Sequence, residues 1–133
     1  MKTIKSLVII GVAALMTSCA SIAKFPVSST VPAADITVTK KQDKNNNYVI
    51  ELTARNLAEV SRINPQMNNY SVWIVVDNGT TKNVGQLTNN NAKKAVLKTV
   101  TPFDVKEIFI TAEEQGDLSY PAGTEISRTT FNK

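Results

Sequence analysis

Tyr70-Ser-Val-Trp-Ile-Val-Val-Asp77 is the stretch on which the fold turns. It sets large apolar side chains on both faces of an extended segment, so it reads as a central strand covered on both sides. Asp77-Asn-Gly-Thr80 follows, and Asn and Gly tolerate the positive φ that a tight hairpin turn needs. The return strand spans residues 81–88, with Val84 and Leu87 as its apolar positions.

The same rhythm extends in both directions. Upstream, Tyr48-Val-Ile-Glu-Leu-Thr-Ala-Arg55 alternates, with Tyr48, Ile50, Leu52 and Ala54 on one face and Glu51, Thr53 and Arg55 on the other. Asp35-Ile-Thr-Val-Thr39 precedes it across a Lys- and Asn-rich turn at residues 40–47. A long connection over residues 56–69 holds Pro65, and Leu57-Ala-Glu-Val60 suits one helical turn. Downstream, residues 92–100, 105–112 and 124–131 read as strands, separated by Pro102 and by a loop at 113–123 with Gly116, Pro121 and Gly123.

About seven short strands without a long helix predict an all-β fold, an antiparallel β-sandwich of immunoglobulin-like type. Two half-apolar sheets bury their faces only against each other. The expected core is Ile36, Val38, Ile50, Leu52, Val72, Trp73, Ile74, Val75, Leu87, Leu97, Ile108 and Ile110. Trp73 on the third expected strand matches the buried tryptophan of immunoglobulin-type sandwiches, although their cysteine pair is absent.

Composition narrows the chemistry. The chain has 133 residues, room for one domain. It has no histidine and one cysteine, Cys19, which excludes an internal disulfide, a Cys/His zinc site and a Ser-His or Cys-His catalytic pair. No motif points to a cofactor, and the expectation is a protein that is not an enzyme.

The N-terminus carries a separate message. Lys2 and Lys5 precede the apolar run Leu7-Val-Ile-Ile-Gly-Val-Ala-Ala-Leu15, which falls short of the roughly 20 residues of a membrane-spanning helix but suits a signal peptide. Leu15-Met-Thr-Ser-Cys19 then resembles the lipobox of bacterial lipoproteins. The resemblance implies that the Cys19 thiol takes a diacylglycerol, that cleavage occurs before Cys19, and that the new amine is acylated. Acyl chains at ~0.8 kcal/mol per buried methylene then hold the protein on a membrane. The expected organisation is a signal peptide at residues 1–18, a lipidated cysteine and flexible tether at 19–34, and a β-sandwich domain at 35–133. The tether expectation rests on its Ser and Pro content; extended, it would reach ~50 Å. Ala20 stands where some lipoproteins carry an inner-membrane retention aspartate, which points to an outer-membrane address in the cell envelope. Lys2 and Lys5 leave with the leader, so 13 basic residues remain against 11 acidic ones. That balance gives no support for nucleic-acid binding.

Five segments carry a family resemblance: Tyr70-x-Val72-Trp73-Ile74, Asn83-Val84-Gly85-x-Leu87, Lys98-Thr-Val-Thr-Pro102-Phe103, Ile110-Thr-Ala-Glu113 and Tyr120-Pro121-x-Gly123. Over about residues 31–131 this order resembles the extracytoplasmic C-terminal domain of anti-sigma-K factors and its stand-alone relatives in bacterial lipoproteins. The resemblance implies a β-sandwich outside the cytoplasm with a sensing or partner-binding role. Anti-sigma factors place a sigma-binding domain and a transmembrane helix before this module; this sequence shows neither, so sigma-factor inhibition does not carry over.

The expected function is therefore a lipid-anchored, non-enzymatic binding, sensing or structural module with an envelope protein or glycan as partner. The alternative is a glycan- or small-ligand-binding accessory protein of the cell surface. Arg62, Tyr70, Glu113, Glu114, Asp117 and Tyr120 make up the candidate interaction surface, on or directly beside the loops at residues 57–69 and 115–123. Tyr70 or Tyr120 would supply a stacking platform for a sugar ring. Glu113, Glu114 and Asp117 offer oxygen ligands for calcium, but their spacing matches no EF-hand, and a solvated acidic loop is the simpler reading. Glu113 bracing its loop toward Tyr120 is a further option.

Overall fold

The structure is a computed structural model that describes residues 20–63, 67–88 and 93–131. The leader and Cys19 lie outside the described residues. The strands are β1 (Ala20–Lys24), β2 (Asp35–Gln42), β3 (Tyr48–Arg55), β4 (Asn69–Val76), β5 (Thr81–Leu87), β6 (Ala95–Thr101), β7 (Val105–Glu113) and β8 (Thr124–Thr130). They form two four-stranded antiparallel sheets, in the orders β1-β2-β3-β6 and β5-β4-β7-β8. The fold is an all-β sandwich.

Period-two patterning builds the core between the sheets. Ile36 and Val38 on β2, with Ile50, Leu52 and Ala54 on β3, meet Tyr70, Val72, Ile74 and Val76 on β4 and Ile108, Ile110 and Ala112 on β7. Each of the larger aliphatic side chains contributes about 1.5–3 kcal/mol by leaving water. Val75 and Leu97, expected in the core, are only half-buried. Val75 falls on the opposite face of β4 from Val72 and Ile74, and Leu97 sits on the edge strand β6.

The expected tether is the main correction. Residues 20–34 belong to the sandwich. β1 pairs with β2 along its full length, from Ala20 opposite Lys41 to Lys24 opposite Thr37. Phe25 and Val31 are each 4% exposed and join the core. The buried Ser28 hydroxyl accepts from the Thr30 and Val31 amides, both at 3.1 Å, and turns the chain inward. Ser127 donates to the Pro26 carbonyl at 3.0 Å, tying the segment to β8. Ser- and Pro-rich composition signals a linker only when no apolar anchors interrupt it, and here two do. Phe25→Ala is therefore expected to cost about 3 kcal/mol in urea unfolding, the usual scale for a buried phenylalanine. A free tether would leave the midpoint unchanged.

The connectivity sorts the loops to two ends. The connections that follow β1, β3, β5 and β7 leave the strands at one end. The short turns at 43–47, 77–80 and 102–104 lie at the other, and Ala20 enters there, in one row with Lys41, Val49 and Val100. Strands of seven to nine residues separate the ends by about 25 Å.

Candidate functional site

The outer face of the β5-β4-β7-β8 sheet is where sequence and structure meet most informatively. Trp73 is 0% exposed and Phe109 3%, yet both lie outside the cluster between the sheets. They are register partners on β4 and β7, stacked with centroids 6.3 Å apart. The strand at residues 70–77 is thus covered on both faces, as its sequence requires, but the outer cover is a loop and a side chain. The Arg128 guanidinium lies 4.0 Å over the Phe109 ring, held by Glu107 at 2.7 Å and Glu125 at 2.9 Å. Hydrogen bonding from Arg128 lowers the Glu125 pKa, and the two carboxylates, Glu125 foremost, raise that of Arg128.

The loop at residues 114–123 folds back across this face. A β-bulge makes the fold-back possible. Val72 pairs with Gly85 but Trp73 with Asn83, so Val84 is the extra residue on β5. The bulge turns Asn83 outward, where its amide donates to the Gly116 carbonyl at 3.3 Å and the Leu118 carbonyl at 3.0 Å. Gly85 has φ of 140°, and a Cβ there would meet Leu97 Cδ1 at 3.1 Å. Gln86 adds a bond to the Gly116 carbonyl at 3.0 Å.

Glu113 is the loop's inner latch. It is 1% exposed. Trp73 Nε1 donates to Thr111 Oγ1 at 2.8 Å, Thr111 donates to Glu113 Oε2 at 2.6 Å, and the Ala122 amide reaches the same carboxylate at 3.2 Å. Glu113 therefore braces its own loop, at Ala122. A Cβ on Gly123 would fall against the Ala112 carbonyl oxygen, so only glycine lets the chain pass so close. The Ser71 hydroxyl, buried on this face, has no hydrogen-bond partner among the described residues.

The second expected loop packs beside the first. Leu57 and Ile63 are buried, and a single 3-10 turn at Val60–Arg62 replaces the helical turn expected at residues 57–60. Tyr70 is 1% exposed and donates to the Ala58 carbonyl at 2.6 Å; burial pushes its pKa up to about 12, which keeps the hydroxyl a neutral donor. Asn68 joins the two loops, its amide N–H donating to the Glu113 carbonyl at 2.9 Å and its side chain to the Glu114 carbonyl at 3.1 Å. A cleft of about 300 Å³ opens on one side of this junction, between Met67, Glu113, Gln115, Leu118 and Gly123. A polar groove of about 320 Å³ lies near it, between Glu59, Ser61, Asn68 and Gln86.

The expected site residues divide accordingly. Arg62, Glu114, Asp117 and Tyr120 are exposed at this loop end. Glu113 and Tyr70 are buried supports that hold the loops. Of the two rings expected to offer a stacking platform, Tyr70 is buried and Tyr120 is 67% exposed. Among the described residues no group of three or more His, Cys, Asp or Glu side chains gathers to hold a metal ion. Sequence reasoning missed Asn68 and Asn83 as the loop clamps. A glycine inside an otherwise regular strand, Gly85, was the available sign of the bulge that aims Asn83.

No family model, curated protein or solved structure matches this chain.

Proposed function

We propose that the chain is a lipid-anchored lipoprotein of the bacterial envelope that acts as a non-enzymatic binding or sensing module, with its partner held at the loop end. The observation that carries this reading is the junction at Asn68, which stitches loops from distant parts of the sequence around a cleft and a groove. Function on sandwiches gathers in such end loops, on a rigid scaffold. Ala20, the residue after the proposed lipidated Cys19, enters at the opposite end, so an anchored domain directs this junction away from its membrane. The strand order also supports an immunoglobulin-like topology. β2-β3-β6 facing β8-β7-β4-β5 follows the A-B-E against G-F-C-C′ arrangement, with β1 as an added edge. Trp73 then sits on the strand equivalent to C. The segments resembling the anti-sigma-K domain include Tyr70, Asn83, Gly85, Glu113 and Gly123, which here build the loop clamp.

A protein partner fits this surface better than a sugar, because one exposed ring, Tyr120, makes half of a stacking platform. The test uses exposed residues, since loop 114–123 cannot be exchanged without uncovering Trp73. Glu114→Lys with Asp117→Lys and Tyr120→Ser is expected to leave the unfolding midpoint in place and to lower partner recovery by crosslinking in intact cells roughly tenfold, a loss of ~1.4 kcal/mol. Unchanged recovery with a folded variant rejects the loop end as the binding surface.

A further inference from the structure

The end opposite the loop junction has features that partner binding does not use. Phe103 at its tip is 41% exposed, and the Lys82 ammonium lies 4.8 Å from its ring centroid. Val100 is 56% exposed in the row that begins with Ala20. The acids of this end are engaged within the protein. Asp104 pairs with Lys40 at 2.8 Å and Lys106 at 3.2 Å, and Asp77 with Lys106 at 3.4 Å. Asp43 accepts from the Asn45 amide at 2.8 Å and the Asn47 amide at 3.0 Å. Lys41 and Lys44 are exposed and form no ion pair among the described residues. An exposed aromatic ring flanked by surplus lysines suits the interface of an anionic bilayer, where the ring enters the headgroup layer and the ammonium groups meet phosphates.

The path of the chain brings that bilayer close. Ala20 is held in β1, and residues 20–34 are seated on the sandwich, so no slack separates the domain from residue 19. In the sequence a single peptide bond joins Cys19 to Ala20.

We propose that the end formed by the turns at residues 43–47, 77–80 and 102–104 seats directly on an anionic phospholipid surface, fixing the domain upright with its loop junction outward. The proposal rests on the lipid-anchor reading of Cys19. All eight strands described lie between Ala20 and Thr130, so a chain beginning at Cys19 keeps the whole core.

The test couples such a chain through its single thiol to maleimide-lipid vesicles, with or without phosphatidylglycerol, and follows amide exchange by mass spectrometry. Chemical coupling makes the result independent of whether cells lipidate Cys19, so failure here is distinct from failure of the anchor. The expected result is exchange slowed about threefold or more at residues 43–47, 77–80 and 102–104 on phosphatidylglycerol vesicles. Residues 114–123 keep their free-solution rates. Phe103→Ser with Lys44→Glu is expected to remove most of the slowing. Unchanged rates on coupling, protection at residues 114–123 instead, or full protection in the double variant would each overturn the proposal.

Discussion

Trp73→Ala is expected to destabilise the domain by about 3–5 kcal/mol, the largest loss from any single side chain discussed above. The ring is 0% exposed, stacks on Phe109, and donates from Nε1 to Thr111 at 2.8 Å. Alanine would leave a cavity beneath the returning loop and remove a donor from the chain of bonds that ends on Glu113. Against a typical total of about 5–15 kcal/mol this is a large fraction. The melting temperature should fall by roughly 12–20 °C. Trp73→Phe keeps an aromatic face against Phe109 and loses the donor, so it should cost only about 1–2 kcal/mol. Far-UV circular dichroism through a urea titration measures both. A change below about 1 kcal/mol for Trp73→Ala would mean that the outer face of β4 is not closed by the loop.

The second large effect is on location. Cys19→Ser removes the thiol that the lipobox reading requires, because an alcohol does not form the thioether. The protein should move from the membrane fraction almost entirely to the soluble envelope fraction or persist as uncleaved precursor. Dual acylation is what makes attachment stable, and one chain alone is marginal. A variant that is cleaved and still fractionates with membranes as the wild type does would rule out the anchor. The described strands begin at Ala20, so the unfolding midpoint of any soluble product is expected to match that of the wild-type domain.

The strands were legible because side-chain alternation reports burial directly. Tyr48–Arg55 coincides with β3, and the all-β sandwich follows from the repeated pattern. β1 was not legible. Its sequence, Ala-Ser-Ile-Ala-Lys, pairs through backbone bonds at a sheet edge and leaves Ile22 73% exposed, so no apolar face announces it. Trp73 was legible as buried but not as outward-facing, since its cover comes from a loop whose return depends on the Val84 bulge. The candidate site shows the same division. Exposed Arg62, Glu114, Asp117 and Tyr120 fell at one end because their loops do, whereas Glu113 and Tyr70 became supports through contacts that spacing does not encode.

The proposed lipid-anchored module depends most on the chemistry of one residue, Cys19. Mass spectrometry of the N-terminal peptide from membrane-extracted protein tests it directly. The prediction is a chain that begins at Cys19, with a diacylglyceryl thioether on sulfur and an acylated amine. A chain that begins elsewhere, or one that begins at Cys19 with an unmodified thiol, would contradict the lipid-anchored module.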